Sequence, residues 1–124
     1  MKKEIATKWV EALRSGKYSQ GKNYLKRTTG ENTTHCCLGV LCELYNELNE
    51  EKIEESSMWH GEIGDKDNIH TFDGATGALS LIVQNWAGVK IIVGCAGIAL
   101  PEMNDSGSSF FEIADFIEKN AENL

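Results

Sequence analysis

The sequence has no apolar run near the roughly 18 residues that a membrane-crossing helix needs, although 41% of its residues are apolar. Nor does it open like a leader. Met1-Lys2-Lys3-Glu4 runs straight into an amphipathic pattern, without the apolar block and small-residue cleavage site of a signal peptide. A cytoplasmic protein is expected, and there the four cysteines are thiols rather than disulfides. Asn32-Thr33-Thr34 matches a glycosylation acceptor, a reading that secretion alone would support. Proline is nearly absent, with Pro101 alone, and no internal repeat, low-complexity tract or linker divides the 124 residues. One domain is expected, large enough to bury its own core. Assembly would then serve another purpose, such as building a site between subunits.

A broad positive field is also missing. Net charge is −7, which disfavours a nucleic-acid polymer as partner. The charge is uneven. Residues 1–27 hold eight basic side chains (Lys2, Lys3, Lys8, Arg14, Lys17, Lys22, Lys26, Arg27) against Glu4 and Glu11, a net +6. The other 97 residues carry four basic and 17 acidic groups, a net −13. The basic third either holds a small anion or pairs with the acidic remainder.

Periodicity predicts an α+β domain, a small antiparallel sheet packed with about four helices. Ile5, Trp9, Ala12 and Leu13 share a helical face over 4–14, with Ala6 and Val10 beside them, and Gly16 is placed to end that helix. Residues 18–21 read as a loop, 23–29 as a strand, 30–32 as a turn and 33–36 as the returning strand. Leu38, Leu41, Cys42, Tyr45 and Leu48 mark a second helix. Gly39 weakens it by about 1 kcal/mol relative to alanine, which makes sense if another backbone packs there. Residues 49–57 read as an acidic connection. Met58-Trp59-His60 and Ile69-His70-Thr71-Phe72 suit two short strands, 77–87 a helix and Val89–Val93 a buried strand. The final helix starts at a capping box, Ser109 with Glu112, and shows Phe110, Ile113, Ala114 and Ile117 to the core.

Catalytic and metal-binding patterns are scarce. His35-Cys36-Cys37 with Cys42 offers metal ligands, but Cys95, His60 and His70 stand too far off in sequence to make the paired spacing of a zinc site. Buried thiols are the simpler reading. His35 adjoins Cys36, yet neighbours on a strand point to opposite faces, so a cysteine nucleophile is not indicated. No cofactor or metal is expected.

Anion-binding patterns are better represented. Asp73-Gly74-Ala75-Thr76-Gly77 precedes a helix and could hold an anion on backbone N–H groups, although a plain turn explains it as well. Residues 104–109, from Asn104 and Asp105 through Ser109, gather small and polar groups ahead of the last helix, where free N–H groups suit an anion. Arg27 and Lys26 are the other anion contacts, the arginine by a two-pronged grip. Gln20 is a further candidate by position. A nucleobase needs an aromatic face, for which Phe72, Tyr18, Tyr24 and Trp59 lie in or near loops. Trp9, Trp86 and Phe110 are core residues by spacing.

Three stretches carry a resemblance. They are 9–20 (WVEALRSGKYSQ), 36–44 (CCLGVLCEL) and 103–118 (MNDSGSSFFEIADFIE), together roughly a third of the chain. Cys36-Cys37-Leu38-Gly39-Val40 followed far downstream by Asn104-Asp105-Ser106-Gly107 is a distinctive combination. It resembles a group of small phage proteins whose characterised branch is the first type of Thoeris anti-defence protein. The resemblance implies a sponge that sequesters the cyclic ADP-ribose isomer made by that bacterial defence and leaves it intact. It also implies a homodimer or higher homo-oligomer with pockets between subunits, in the cytoplasm of the infected host, and it leaves room for cyclic oligonucleotides as a second ligand class. Asn104 and Asp105 fall inside the matching run. Arg27, Lys26, Gln20 and Phe72 are expected at the ligand from chemistry and position. A nucleotide-processing enzyme and a protein–protein inhibitor of a host factor are the alternatives.

Overall fold

A computed structural model describes residues 1–59, 67–89 and 96–124. Helix α1 spans Lys3–Arg14, and its buried face is Ala6, Trp9, Val10 and Leu13. It ends at Ser15, and Gly16 follows with φ +77°, a left-handed turn that glycine adopts without strain. Among the described residues five strands follow, with one helix between them. The strands are β1 (Ser19–Gln20), β2 (Lys26–Thr29), β3 (Asn32–His35), β4 (Glu55–Trp59) and β5 (Asp67–Phe72), and helix α2 (Cys37–Leu48) follows β3. Helices α3 (Leu81–Ala87), α4 (Ala96–Asp105) and α5 (Phe110–Asn120) and a final 3-10 turn complete the domain.

The strand order is β1-β3-β2-β5-β4. Four strands pair antiparallel, and β1 runs parallel to β3, so the sheet is mixed. The 18–21 loop expected from sequence thus contains an edge strand, too short to show alternation. The β2–β3 hairpin closes through Gly30 and Glu31, with Gly30 at φ +63°. The strand expected over 23–29 begins only at Lys26, because Asn23 takes a left-handed φ of +70°. Residues 55–57, expected in the acidic connection, belong to β4.

Helix α2 is buried on nearly every side, without a break from Cys37 through Cys42 and again at Leu44. It lies so close to the sheet that a Cβ on Gly39 would overlap the carbonyl oxygen of Leu25. The glycine is the condition for that approach, as its helix-weakening presence suggested. Around α2 gather Trp9, Leu25, Phe72, Val83, Leu100, Ile113 and Ile117, all buried. The Trp9 indole N–H donates to Cys37 O at 2.9 Å, tying α1 to the first turn of α2.

Other boundaries follow local chemistry. Asp73 and Gly74 both have positive φ and close a tight turn between Phe72 and Ala75, so this segment is a turn of the chain. Helix α3 starts at Leu81 rather than 77, because Ser80 caps it by accepting from Val83 N at 3.4 Å. Asn104 and Asp105 are not in a loop. They form the last turn of α4, whose end is a Schellman motif: Ser108 N donates to Met103 O at 2.9 Å and Gly107 has φ +107°. Pro101 falls within α4. Helix α5 starts with the expected capping box of Ser109 and Glu112. Of the expected strand over 89–93, residues 90–93 lie outside the described residues, as do His60 and Cys95.

Candidate functional site

Asn104 is fully buried, and its amide is saturated. Oδ1 accepts from Cys37 N at 3.2 Å and from Gln20 Nε2 at 3.1 Å. Nδ2 donates to Gly21 O at 2.7 Å and to Asp105 Oδ1 at 3.3 Å. The first of these bonds solves a local problem. Cys36 stands at the N-cap of α2 without a side-chain cap, and the amide from the end of α4 supplies the missing acceptor. Gln20 extends the network. Its Nε2 also donates to Ser108 O at 2.6 Å, and its Oε1 accepts from Phe110 N at 3.0 Å. The start of α5, expected to suit an anion, is therefore served by Gln20 and the capping box. Asp105 accepts from Asn23 N at 2.9 Å and holds that residue in its left-handed conformation.

A second polar group lies on the sheet beneath α2. Register places His35, Lys26 and His70 side by side on β3, β2 and β5. Lys26 Nζ stands 2.6 Å from Glu55 Oε1 on β4 and 3.4 Å from Glu43 Oε1 on α2. Each carboxylate oxygen also faces an imidazole: His70 Nδ1 lies 3.4 Å from Glu55 Oε1, and His35 Nε2 lies 3.7 Å from Glu43 Oε1. The result is a chain His35–Glu43–Lys26–Glu55–His70 that joins four strands and a helix. Thr28 Oγ1 closes one end at 2.8 Å from His70 Nε2.

The electrostatics follow from burial and neighbours. Burial pushes the Glu43 carboxyl up, but His35 and Lys26 outweigh it, so its pKa lies below the usual value. Burial lowers Lys26, and Glu55 and Glu43 more than restore it, so the ammonium is held charged. Burial and then Lys26 lower His70 and favour its neutral ring. One ammonium between two carboxylates leaves an excess negative charge when both rings are neutral. Such a group attracts protons and cations and repels a phosphate.

Arg27 lies on the opposite sheet face and grips Asp67 with two bonds, Nε to Oδ1 at 2.8 Å and Nη2 to Oδ2 at 2.6 Å. Its guanidinium also sits 5.8 Å from the Tyr24 ring centre. Phe72 is fully buried in the core and presents no face for stacking. Asn104, Gln20 and Asp105 come together, whereas Lys26, Arg27 and Phe72 do not join them. Arg14, Lys17, Lys26 and Arg27 all pair with acidic groups from the later part of the chain, which accounts for part of the charge asymmetry.

Cys36, Cys37 and Cys42 are buried free thiols. Burial raises the pKa of each, away from thiolate reactivity. Among the described residues no three His, Cys, Asp or Glu side chains are grouped to hold a metal ion. No helix among them is long and apolar enough to cross a membrane. An open groove of about 300 Å³ lies between α1 and α2, with Tyr18, Leu44 and Leu48 as apolar walls and Lys8 and Lys17 at its rim. Lys17 Nζ sits 5.4 Å from the Tyr18 ring centre.

A family described as a domain of unknown function, DUF8296, matches residues 1–121. The chain belongs to the DUF8296 family. No curated protein and no solved structure matches it. The DUF8296 match spans the Asn104 network and the sheet chain alike, so both belong to the family domain. Sequence reasoning singled out Lys26 and His35 but missed Glu43, Glu55 and His70. Glu43 did carry a signal, since it is the only charged residue in a helix otherwise apolar from Cys37 to Leu44. Glu55 and His70 carried none without the strand register.

Proposed function

We propose that this protein sequesters a small cyclic nucleotide, a cyclic ADP-ribose isomer of the kind made by Thoeris defence, and thereby lets a phage evade that defence. The observation that carries the reading is the convergence on Asn104. The three stretches similar to the sponge proteins run through 9–20, 36–44 and 103–118. Gln20 ends the first, Cys37 lies at the start of the second, and Asn104 belongs to the third. These are the residues that bond to one another. One residue from each stretch thus meets at a single buried junction.

Binding of this kind needs charge complementarity, stacking and enclosure. Nanomolar affinity corresponds to about 12 kcal/mol. Arg27 already presents to Asp67 the two-pronged geometry that it would present to a phosphate. The α1–α2 groove offers the Tyr18 ring but remains open on one side, and at about 300 Å³ it is at the small end for a ligand pocket. A second subunit would supply the missing wall. The test is direct: incubate the protein with the cyclic ADP-ribose isomer, measure free ligand after filtration, then heat the protein and analyse what is released. Depletion followed by recovery of intact ligand supports sequestration, and unchanged free ligand refutes it.

A second reading is a nucleotide-processing enzyme: the His35–Glu43–Lys26–Glu55–His70 chain combines proton donors and acceptors, and because it repels phosphate it would act on an uncharged part of the nucleotide. The same experiment separates the two, because an enzyme releases a cleaved product.

A further inference from the structure

His35 is 6% exposed, and neither of its ring nitrogens has a hydrogen-bond partner among the described residues. An unmet buried nitrogen is costly, and a fold that keeps one has a use for it or fills the need under other conditions. Several polar and titratable groups stand near His35. Glu43 faces it from α2 at 3.7 Å, and the Tyr18 ring packs edge-on at 5.1 Å between ring centres. Lys26 is its register partner on β2, with Glu55 and His70 beyond on β4 and β5, and the Cys42 thiol is buried on α2. Lys26 leans toward Glu55, at 2.6 Å against 3.4 Å for Glu43. Glu43 is therefore the carboxylate with capacity to spare.

We propose that His35 and Glu43 form a proton-operated latch between α2 and the sheet. The pair stands 3.7 Å apart, too far for a hydrogen bond. A proton taken from solvent onto the ring turns Nε2 into a charged donor, and a charge-assisted hydrogen bond to Glu43 Oε1 draws helix and strand together. No other bond forms or breaks. The latch lies behind the α1–α2 groove, since Tyr18 touches His35 and Leu44 is next to Glu43 on the chain. Protonation thereby stiffens one wall of that groove. The inference rests on the geometry of His35 and is independent of the sequestration reading.

The test combines ¹⁵N NMR of the imidazoles in the full chain between pH 8 and 5 with hydrogen exchange of the α2 amides, corrected for intrinsic pH dependence. His35 is expected to take up a proton while α2 protection rises about tenfold, the size of one charge-assisted hydrogen bond. In Glu43→Gln the rise in protection should vanish, and His35→Gln should show a flat profile. Should either variant fail to fold, the wild-type titration decides alone. A His35 ring that stays neutral throughout, α2 protection that does not follow its titration, or an undiminished rise in Glu43→Gln overturns the proposal.

Discussion

Asn104 Oδ1 lies 3.2 Å from the backbone N–H of Cys37, 67 residues away in the chain. The helix that Cys37 opens has no side-chain cap of its own, so the end of α4 caps the start of α2. Because the same amide also bonds Gln20 and Gly21, one buried side chain fixes how β1, α2 and α4 meet.

Replacing this side chain should therefore be severe. Asn104→Ala strands the Cys37 N–H and the Gly21 carbonyl in a buried setting and opens a void. At about 1–3 kcal/mol for each unmet buried group, a loss of at least about 3 kcal/mol is expected in urea unfolding. A loss below about 1 kcal/mol would mean that the amide is not the junction described.

Gln20→Ala should act more locally. It removes the acceptor for Phe110 N and the donor to Ser108 O and Asn104 Oδ1, while the Cys37–Asn104 bond and the capping box of α5 remain. A cost of about 1–2 kcal/mol is expected, with faster hydrogen exchange confined to the first turn of α5. Uniform loss of protection across the domain would contradict that picture.

Gly39→Ala tests the approach of α2 to the sheet. Alanine normally favours a helix by about 1 kcal/mol over glycine. Here the added Cβ would overlap the Leu25 carbonyl, so the sign reverses. Destabilisation of at least about 2 kcal/mol is expected from thermal or urea unfolding. A stabilised variant would show that the helix stands further off.

Acid should loosen the α2–sheet contact through Glu43. Its folded pKa is lowered, so the unfolded chain binds the proton more readily. The stability it contributes is present above the ordinary carboxylate pKa and is lost as pH falls through the lower folded value. Glu43→Gln should flatten the stability profile across that acidic window. An unchanged slope between pH 5 and 3 would remove Glu43 from the account.

What the sequence revealed, and what it hid, have physical causes. The capping box at Ser109, the helix stop at Gly16 and the face of α1 rest on interactions within one or two turns, and all three were legible. So was the meaning of Gly39, because a poor helix former in an apolar helix implies a close neighbour. The roles of Asn104, Gln20 and Asp105 were not. Their partners lie 67 to 90 residues away for the bonds to Cys37, Asn23 and Phe110, and polar residues before a helix read equally well as a ligand site. Lys26 was legible as a cation, but its two carboxylate partners become neighbours only when β2 pairs with β5 and α2 folds over them. Phe72 read as loop-borne because the turn at Asp73 and Gly74 was visible, while the strand carrying it into the core was only partly so.

Calorimetric titration of the purified chain with a cyclic ADP-ribose isomer, with the ligand analysed afterwards, tests the proposed function most directly. Saturable binding with a dissociation constant in the nanomolar range, about −12 kcal/mol, and unaltered ligand at the end is the expected result. No binding at micromolar concentrations of protein and ligand would contradict it.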